Sequence, residues 1–357
     1  MAGVEVTTAT PSFTGNWAGA SVFVTGATGI VGSWLCSELL DLGAHVVALV
    51  KDTDPQSELI RSGNIARLTV VNGNLEDYRT IERAVNEHEI QTVFHLGAQA
   101  IVGAALRSPL PTFETNIRGT YNLLEACRVH ADRVQSVVIA SSDKAYGDQD
   151  TLPYTEDSPL VGRHPYDVSK SCADLIAQAY HRTYGLPVGI ARCGNIYGGG
   201  DLNWSRLVPT TVRAYIEGRS PVIRSDGSLV RDYIYVKDAV SGYIRLAEGL
   251  EYDHIKGEAF NFGNEAPVTV LELVSEVQEL MESQHLETEI LGVNEGEIHS
   301  QYLSTAKARK MLDWTPSNDL RSGLVETIAW YRDFLSVGEH ATNIEHTGAP
   351  IETDRSG

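Results

Sequence analysis

A glycine-rich turn between a short apolar run and an amphipathic segment constrains the fold of this chain more than any other feature. Residues 21 to 26 (SVFVTG) have the length and composition of a buried strand, and residues 30 to 42 (IVGSWLCSELLDL) have the apolar spacing of a helix. The turn between them reads GATGIVG over 26 to 32. Glycine allows the backbone to turn sharply and to present amide N–H groups to a pyrophosphate at the positive end of the helix dipole. Although glycine also suits an ordinary tight turn, this placement predicts dinucleotide binding.

The alternation of strand and helix continues beyond this unit. Further strands are predicted at 45 to 50, 68 to 73, 92 to 97, 136 to 142 and 188 to 193, and helices at roughly 78 to 88, 109 to 130 and 166 to 184. Strands that alternate with helices form a parallel sheet covered on both faces, and right-handed crossovers make it doubly wound. The predicted class is therefore α/β with a Rossmann sheet.

The regular alternation of strands and helices ends after residue 193. A glycine-dense run follows, and then helix-like segments near 206 to 217, 269 to 283 and 322 to 335. A strand-like FNFG at 260 to 263 lies between them, which suggests that the chain returns to the main sheet. We therefore predict a Rossmann domain over 1–193, with segments near 234–264 returning to it. We further predict a smaller, discontinuous α/β substrate lobe over 194–233 and 265–336, and a flexible tail over 337–357.

The net charge of the chain restricts the kinds of molecule that it can bind. With 28 Lys and Arg against 47 Asp and Glu, the net charge is −19, which argues against nucleic acid or an anionic membrane as a partner. The four cysteines have no CxxC or CxH spacing, so neither a disulfide framework nor a metal site is predicted. The first sixteen residues do not resemble a signal peptide and no run of eighteen apolar residues occurs, so we expect a cytoplasmic protein.

The choice between NAD and NADP depends on the end of the second strand, where a carboxylate binds ribose hydroxyls and a cation accepts a 2′-phosphate. Val50 stands where the acid usually lies, and Lys51 and Asp52 follow with opposite charges. NAD is expected, with NADP left open and Lys51 as the residue that would contact the 2′-phosphate. Asn74 suits a contact to adenine, and an ordinary turn asparagine explains it equally well.

A tyrosine and a lysine lie four residues apart in YDVSK, as Tyr166 and Lys170, so a helix brings them to one face. A phenol with a pKa near 10 is a poor base, and we expect the neighbouring ammonium and an oxidised nicotinamide to lower that pKa. The segment SSDK, which contains Ser142, Asp143 and Lys144, follows a predicted central strand. Ligands of open α/β sheets bind at that end of the strands.

The motifs of the chain, taken together, resemble those of a known family. The motifs GATGIVG, HLGAQ, SSDK, YDVSK, RCGNIYGGGD and RDY, in this order, resemble the extended short-chain dehydrogenase/reductases that act on nucleotide sugars, over roughly 17 to 335. Trp17 and the segments SSDKAYG, GGGDLNWSRLVP and QYLSTAKARKMLDW are most similar to the NDP-hexose 4,6-dehydratases, and among them to the CDP-glucose 4,6-dehydratases.

The resemblance implies a reaction in two halves. Ser142 would bind the sugar 4-hydroxyl and Tyr166 would take its proton while the C4 hydride passes to the nicotinamide. The resulting ketone acidifies the C5 proton, which Lys144 in its neutral form would remove while protonated Asp143 donates to the departing C6 hydroxyl. The hydride then returns to C6 and leaves a 4-keto-6-deoxy sugar. The alternative for Asp143 and Lys144 is a surface ion pair at a strand end.

The predicted contacts follow from the turn, the strand ends and the resemblance. Predicted cofactor contacts are Gly26, Thr28, Gly29, Ile30, Gly32, Lys51, Asn74, Leu75, Leu96, Tyr166 and Lys170. Predicted contacts to a nucleotide-diphosphate sugar are Gln99, Asn195, Arg206, Arg224 and Arg231, with an ion pair to an acid such as Asp232 as the alternative for Arg231. Glu297, His299 and Tyr302 resemble a segment that closes over the nucleoside.

Three functions are compatible with these motifs. An NDP-hexose 4,6-dehydratase is favoured, with CDP-glucose as the first substrate and GDP-mannose or another NDP-hexose left open. An NDP-sugar 4-epimerase would use Ser142, Tyr166 and Lys170 without the Asp–Lys pair. A dinucleotide-binding module without chemistry has no need of an aligned phenol. The resemblance also implies a homodimer or homotetramer that assembles through the helices at 109 to 130 and 166 to 184.

Overall fold

A computed structural model describes residues 15–293 and 298–345 of the chain, with side chains as far as residue 336. In chain order the strands are β1 (Ser21–Thr25), β2 (His45–Val50), β3 (Thr69–Asn72), β4 (Thr92–His95), β5 (Ser136–Ser142), β6 (Val188–Cys193), β7 (Asn195–Tyr197), β8 (Val222–Ile223), β9 (Val230–Arg231), β10 (Tyr233–Tyr235), β11 (Ala259–Phe262), β12 (Val268–Thr269), β13 (Glu289–Ile290) and β14 (Ser300–Gln301). The α-helices are α1 (Ile30–Asp41), α2 (Glu58–Arg61), α3 (Tyr78–Glu87), α4 (Val102–Arg107), α5 (Pro109–Phe113), α6 (Gly119–Val129), α7 (Pro165–Tyr184), α8 (Leu207–Ile216), α9 (Val236–Gly249), α10 (Val270–Leu280), α11 (Ala306–Leu312) and α12 (Leu320–Glu345).

The main sheet has seven parallel strands in the order β11-β6-β5-β4-β1-β2-β3. The predicted doubly wound α/β fold is confirmed. Successive residues of β1 point to opposite faces: Val22 and Val24 lie in one apolar cluster, with residues of α1 and α9, and Phe23 lies in another, with residues of α3, α6 and α7. Each large aliphatic side chain buried in these layers contributes roughly 1.5–3 kcal/mol to the free energy of unfolding.

Smaller sheets lie beside the main one. β9 pairs with β12 and β14, β10 pairs with β7, and β13 pairs with β8. A third apolar cluster joins residues of α8, α10 and α12. These elements come from the segments predicted as the substrate lobe, and β11 pairs with β6 in the main sheet. The division into two domains with these boundaries stays a prediction.

Three of the differences between the structure and the sequence prediction concern the helix predicted at 109 to 130, α9 and α12. The predicted helix over 109 to 130 consists of α5, a π-helical turn (Glu114–Arg118) and α6. The sequence analysis does not predict α9, although its buried Val236, Val240 and Tyr243 recur at helical spacing. The helix α12 continues to Glu345, beyond the predicted helix end near 335. The flexible tail over 337–357 stays a prediction. Residues 346–357 lie outside the described residues.

Candidate active site

The glycine turn closes tightly on its surroundings. Gly26 has a φ of +72°, and a Cβ there would come within 2.7 Å of the backbone nitrogen of Gly97, which follows β4. A Cβ at Gly32 would overlap the carbonyl oxygen of Gly26. Gly29 is the N-cap of α1 and provides no side-chain cap, and the first turn of this helix has no acidic residue. The first N–H groups of α1 are therefore left for an anionic ligand, so the turn fits a dinucleotide pyrophosphate.

The other predicted cofactor residues lie along the same edge of the sheet. Leu75 is buried, and its side chain packs against Gly97. The N–H of Leu96 donates to the carbonyl of Thr25 at 3.2 Å, beside the turn that contains Thr28 and Ile30. Lys51 and Asn74 are exposed and follow β2 and β3. Since β1 to β4 are parallel, their carboxyl ends bring these positions to one edge.

Ser142, Asp143 and Lys144 lie where β5 ends and a 3-10 turn (Asp143–Tyr146) begins. The hydroxyl of Ser142 donates to Oδ1 of Asp143 at 3.0 Å and accepts the backbone N–H of Lys144 at 3.2 Å. Asp143 is only 2% exposed, and its Oδ2 has no hydrogen-bond partner in the described part of the chain. The amine of Lys144 lies 4.0 Å from Oδ1 of Asp143. This burial argues against a surface ion pair.

Tyr166 and Lys170 begin α7, one turn apart, as the spacing predicts. Lys170 is buried, and its Nζ donates to the carbonyl of Ala140 on β5 at 2.8 Å. Burial lowers the pKa of Lys170 to about 8. The pKa of Tyr166 is raised to about 12, chiefly by burial, although the nearby Arg206 and Ser142 act to lower it. The structure therefore does not show the predicted lowering of the Tyr166 pKa, because desolvation outweighs the positive charge of Arg206, and Lys170 is not among the groups that shift this pKa.

The π-helical turn supplies a residue that the sequence analysis missed. Asn116 lies in it, accepts the backbone N–H of Gln99 at 2.7 Å, and donates to Oγ of Ser169 at 2.9 Å. Ser169 in turn donates to the backbone carbonyl of Tyr166 at 2.7 Å. Asn116 thus connects the loop after β4 to the first turn of α7. The sequence shows only an asparagine within a predicted helix, and this does not reveal its partners.

A second missed residue comes from β14. The side-chain amide of Gln301 donates from Nε2 to the backbone carbonyl of Asp143 at 2.9 Å, and its Oε1 accepts from Nζ of Lys144. Gln301 is completely buried and lies 157 positions from Lys144 in the sequence. No motif or spacing indicated this contact.

The predicted substrate residues are not all brought together. Arg206 is the N-cap of α8, bonds Asp201 at 3.0 Å, and lies close enough to Tyr166 to act on its pKa. Asn195 begins β7, where its N–H donates to the carbonyl of Asp232. Arg231 is buried on β9 and donates to the backbone carbonyls of Val230 and His299. Arg224 is exposed after β8, in the small β8–β13 sheet.

The segment predicted to close over the nucleoside is described only in part. Glu297 lies outside the described residues. His299 is exposed, and its Nδ1 lies 2.9 Å from Oγ of Ser300. The carbonyl of Tyr302 accepts the N–H of Tyr154 at 3.0 Å.

Two further features of the described residues concern partners. No helix among residues 15–293 and 298–345 combines the length and the apolar character needed to cross a membrane. Over the same residues, no group of three or more His, Cys, Asp or Glu side chains has an arrangement that could hold a metal ion.

The fold and this site together define a Rossmann-type enzyme of the extended short-chain dehydrogenase/reductase class, because the aligned Ser, Tyr and Lys groups lie at the edge where the glycine turn fits a dinucleotide. A family model described as GDP-mannose 4,6 dehydratase matches residues 23–327, and the chain belongs to that family.

Comparison with individual proteins agrees with this assignment. A CDP-glucose 4,6-dehydratase of Salmonella typhimurium is 31% identical over 89% of this chain and 92% of the relative. The solved structure of a UDP-glucose 4-epimerase of Thermotoga maritima with UDP-glucose has a TM-score of 0.81 and 27% identity, covering 88% of this chain and 99% of that one. A dTDP-glucose 4,6-dehydratase of Streptomyces venezuelae with NAD bound has a TM-score of 0.80 and 28% identity, covering 88% and 97%.

Proposed function

We propose that this protein is an NAD-dependent NDP-hexose 4,6-dehydratase, which acts on CDP-glucose first among the NDP-hexoses. The observation that carries the proposal is the Asp143–Lys144 pair, which lies beside Ser142 at the end of β5 with Asp143 buried. Dehydration needs an acid and a base in addition to the groups that oxidise the sugar, and this pair provides both. The similarity to the Salmonella typhimurium CDP-glucose 4,6-dehydratase supports the choice of nucleotide.

The glycine turn is the part of the chain that would hold the cofactor. Gly26, Gly29 and Gly32 would present the N–H groups of α1 to its pyrophosphate, and Lys170 would contact the same cofactor. When bound, NAD supplies an acceptor for the C4 hydride, a donor of the same hydride to C6, and positive charge on its oxidised ring.

Oxidation at C4 requires removal of the proton from the 4-hydroxyl. Ser142 lies close enough to Tyr166 to act on its pKa, so one sugar hydroxyl can contact both. Tyr166 takes the proton, and the positive charges of Lys170 and of the bound cofactor favour its phenolate. In the chain alone the pKa of Tyr166 is about 12, so we expect cofactor binding to be the event that prepares this base.

Elimination of water is the task of the acid and the base. The neutral amine of Lys144 takes the C5 proton, the C5 electron pair forms a C5–C6 double bond, and the C6–O bond breaks. Protonated Asp143 donates its proton to the departing oxygen, which leaves as water. The hydride returned to C6 and a proton returned to C5 complete the 4-keto-6-deoxy sugar with no net redox change.

The substrate diphosphate needs positive charge within an acidic protein. Arg206, next to Tyr166, and Arg231, buried on β9, are the cations we assign to it, together with Asn195. A guanidinium can bond phosphate oxygens with two N–H groups at once. Gln99, held through its backbone by Asn116, is assigned to the sugar.

We also infer a homodimer in a reducing cytoplasm. All four cysteines are free thiols. Helices α5, α6 and α7 pack together and expose large apolar side chains, among them Leu110 (65% exposed), Leu175 (55%) and Tyr121 (40%). Exposed apolar surface on neighbouring helices is typical of an interface.

The test is a panel of CDP-, GDP-, UDP- and dTDP-hexoses incubated with the purified protein and NAD, with products analysed by mass spectrometry and NMR. Loss of one water, largest with CDP-glucose, is the expected result. Unchanged mass with inverted C4 stereochemistry would instead support a 4-epimerase. No reaction with any sugar would support a binding module and contradict the proposal.

A further inference from the structure

We infer that Gln301 is a positioning residue for the dehydration step, whose neutral side-chain amide holds Lys144 and the backbone of Asp143 together without adding charge. The inference rests on the proposed function, since it concerns the base and the acid assigned there.

One amide group contacts both members of the pair. Its Nε2 donates to the carbonyl of Asp143 at 2.9 Å, and its Oε1 accepts from the amine of Lys144. The acid and the base are adjacent in sequence, but the residue that connects them belongs to β14. A shift of Gln301 would therefore move the amine of Lys144 relative to the carboxyl of Asp143.

The backbone around Gln301 is firmly held. In β14, Gln301 lies in register with Arg231 of β9. On the other side, the N–H of Tyr154 donates to the carbonyl of Tyr302, and the N–H of Ser304 donates to the carbonyl of Tyr154. Tyr154 is itself completely buried. Because the side chain of Gln301 is also buried, its amide has little freedom to leave Lys144.

The chemical value of an amide here lies in its neutrality. The charged groups near Lys144 include Asp143 at 4.0 Å and Asp167 on α7, and both favour the ammonium form. Arg231, in register with Gln301 on β9, is the cation on the neighbouring strand. A carboxylate in place of Gln301 would add another anion in direct contact with the amine. A base has to lose its proton to act, so an amide can orient Lys144 where a glutamate would keep it protonated.

The test is to follow the titration of Lys144 by NMR in protein labelled with 13C-lysine. The chain has only seven lysines, so few signals are expected, and the signal that disappears in Lys144→Arg belongs to Lys144. We expect Gln301→Glu to raise the titration midpoint of Lys144 by about one to three pH units. At neutral pH the dehydration rate should fall about tenfold for each unit and recover at higher pH, while oxidation at C4 in a single turnover stays unchanged.

Two further variants complete the test. Gln301→Met has a side chain of similar length and buries no charge, so it can be used if Gln301→Glu does not fold. It should lower the titration midpoint of Lys144, because the ammonium group loses a hydrogen-bond acceptor. Gln278→Glu is the matched control, since Gln278 bonds the carbonyls of Ser283 and Leu286 rather than the pair. It should leave the titration and the pH–rate profile as in the wild type.

The outcomes separate this inference from the proposed function. If the midpoint of Lys144 is the same in Gln301→Glu, Gln301→Met and the wild type, Gln301 does not act on Lys144, whatever the activity. If the midpoint shifts but the wild type dehydrates no NDP-hexose, the contact is upheld and the proposed function fails.

Discussion

Asp143 and Asp232 are buried carboxylates that influence each other. The pKa of Asp232 is raised to about 6, chiefly by burial, and the charge of Asp143 adds to the increase. One oxygen of each side chain has no hydrogen-bond partner among the described residues. The two residues differ in surroundings, since Asp143 adjoins Ser142 and Lys144 while Asp232 accepts the N–H of Asn264 at 3.0 Å. We therefore expect one to act in catalysis and the other in stability.

Replacing Asp143 should separate the two halves of the reaction. Asp143→Asn keeps the shape and an acceptor for Ser142 but has no proton to give the C6 oxygen. We expect dehydration to slow by about 10²- to 10⁴-fold while oxidation at C4 continues. Absorbance of the reduced cofactor in a single turnover measures the oxidation at C4, and mass spectrometry measures the loss of water. The control is Asp148→Asn, at an exposed position in the next loop. Dehydration at the wild-type rate would mean that Asp143 is not the acid.

Asp232 should make the stability of the protein depend on pH. Its pKa is about 6 in the folded chain against 3.8 for an ordinary Asp, so between these values the folded state binds more protons than the unfolded state. Its contribution to the free energy of unfolding is therefore present below pH 3.8 and lost as the pH rises through 6, a change of about 3 kcal/mol at most.

Asp232→Asn removes this dependence. The stability difference between Asp232→Asn and the wild type should move in favour of the variant from about pH 4 to about pH 6, as measured by urea unfolding at a series of pH values. Asp148→Asn should show no such trend. A difference that stays constant across this range would exclude the titration of Asp232 as its cause.

At the scale of elements, we expect the junction of β1 and α1 to decide whether a dinucleotide can bind. Gly32→Ala places a methyl group against the carbonyl of Gly26, so the turn must open. We expect at least about a tenfold loss of NAD affinity by calorimetry and a lower melting temperature. Gly103→Ala is the matched control, because its new methyl group would lie 3.6 Å from the nearest atom, on Arg107. Equal NAD affinity in Gly32→Ala and the wild type would show that the turn does not hold the cofactor.

At the scale of the whole molecule, the apolar face of α5 and α7 should control assembly. Leu110→Glu combined with Leu175→Glu places charge on both helices. We expect the wild type to sediment as a dimer and the double variant as a monomer. Leu291→Glu, at a site 52% exposed outside these helices, should leave assembly unchanged. A wild-type monomer, or a double variant that remains a dimer, would exclude this interface. If the wild type is a tetramer and the double variant a dimer, this face forms one of the two interfaces of the tetramer.

The sequence by itself determined the α/β class, the strands of the main sheet, the glycine turn and the spacing of Tyr166 and Lys170. These features depend on periodicity and spacing within one element or one strand–turn–helix unit, which are local properties of the chain. The resemblance added the roles of Ser142, Asp143 and Lys144. The missed helix α9 shows that even a local pattern can pass unnoticed.

Only the tertiary structure decided which distant residues meet at the site. Gln301 contacts Lys144 across 157 positions, and Asn116 reaches Ser169 across 53. The raised pKa of Tyr166 likewise comes from burial among several elements. Such contacts depend on the path of the loops and on how side chains pack between elements. Neither the path nor the packing produces a periodic pattern in the sequence from which it could be predicted.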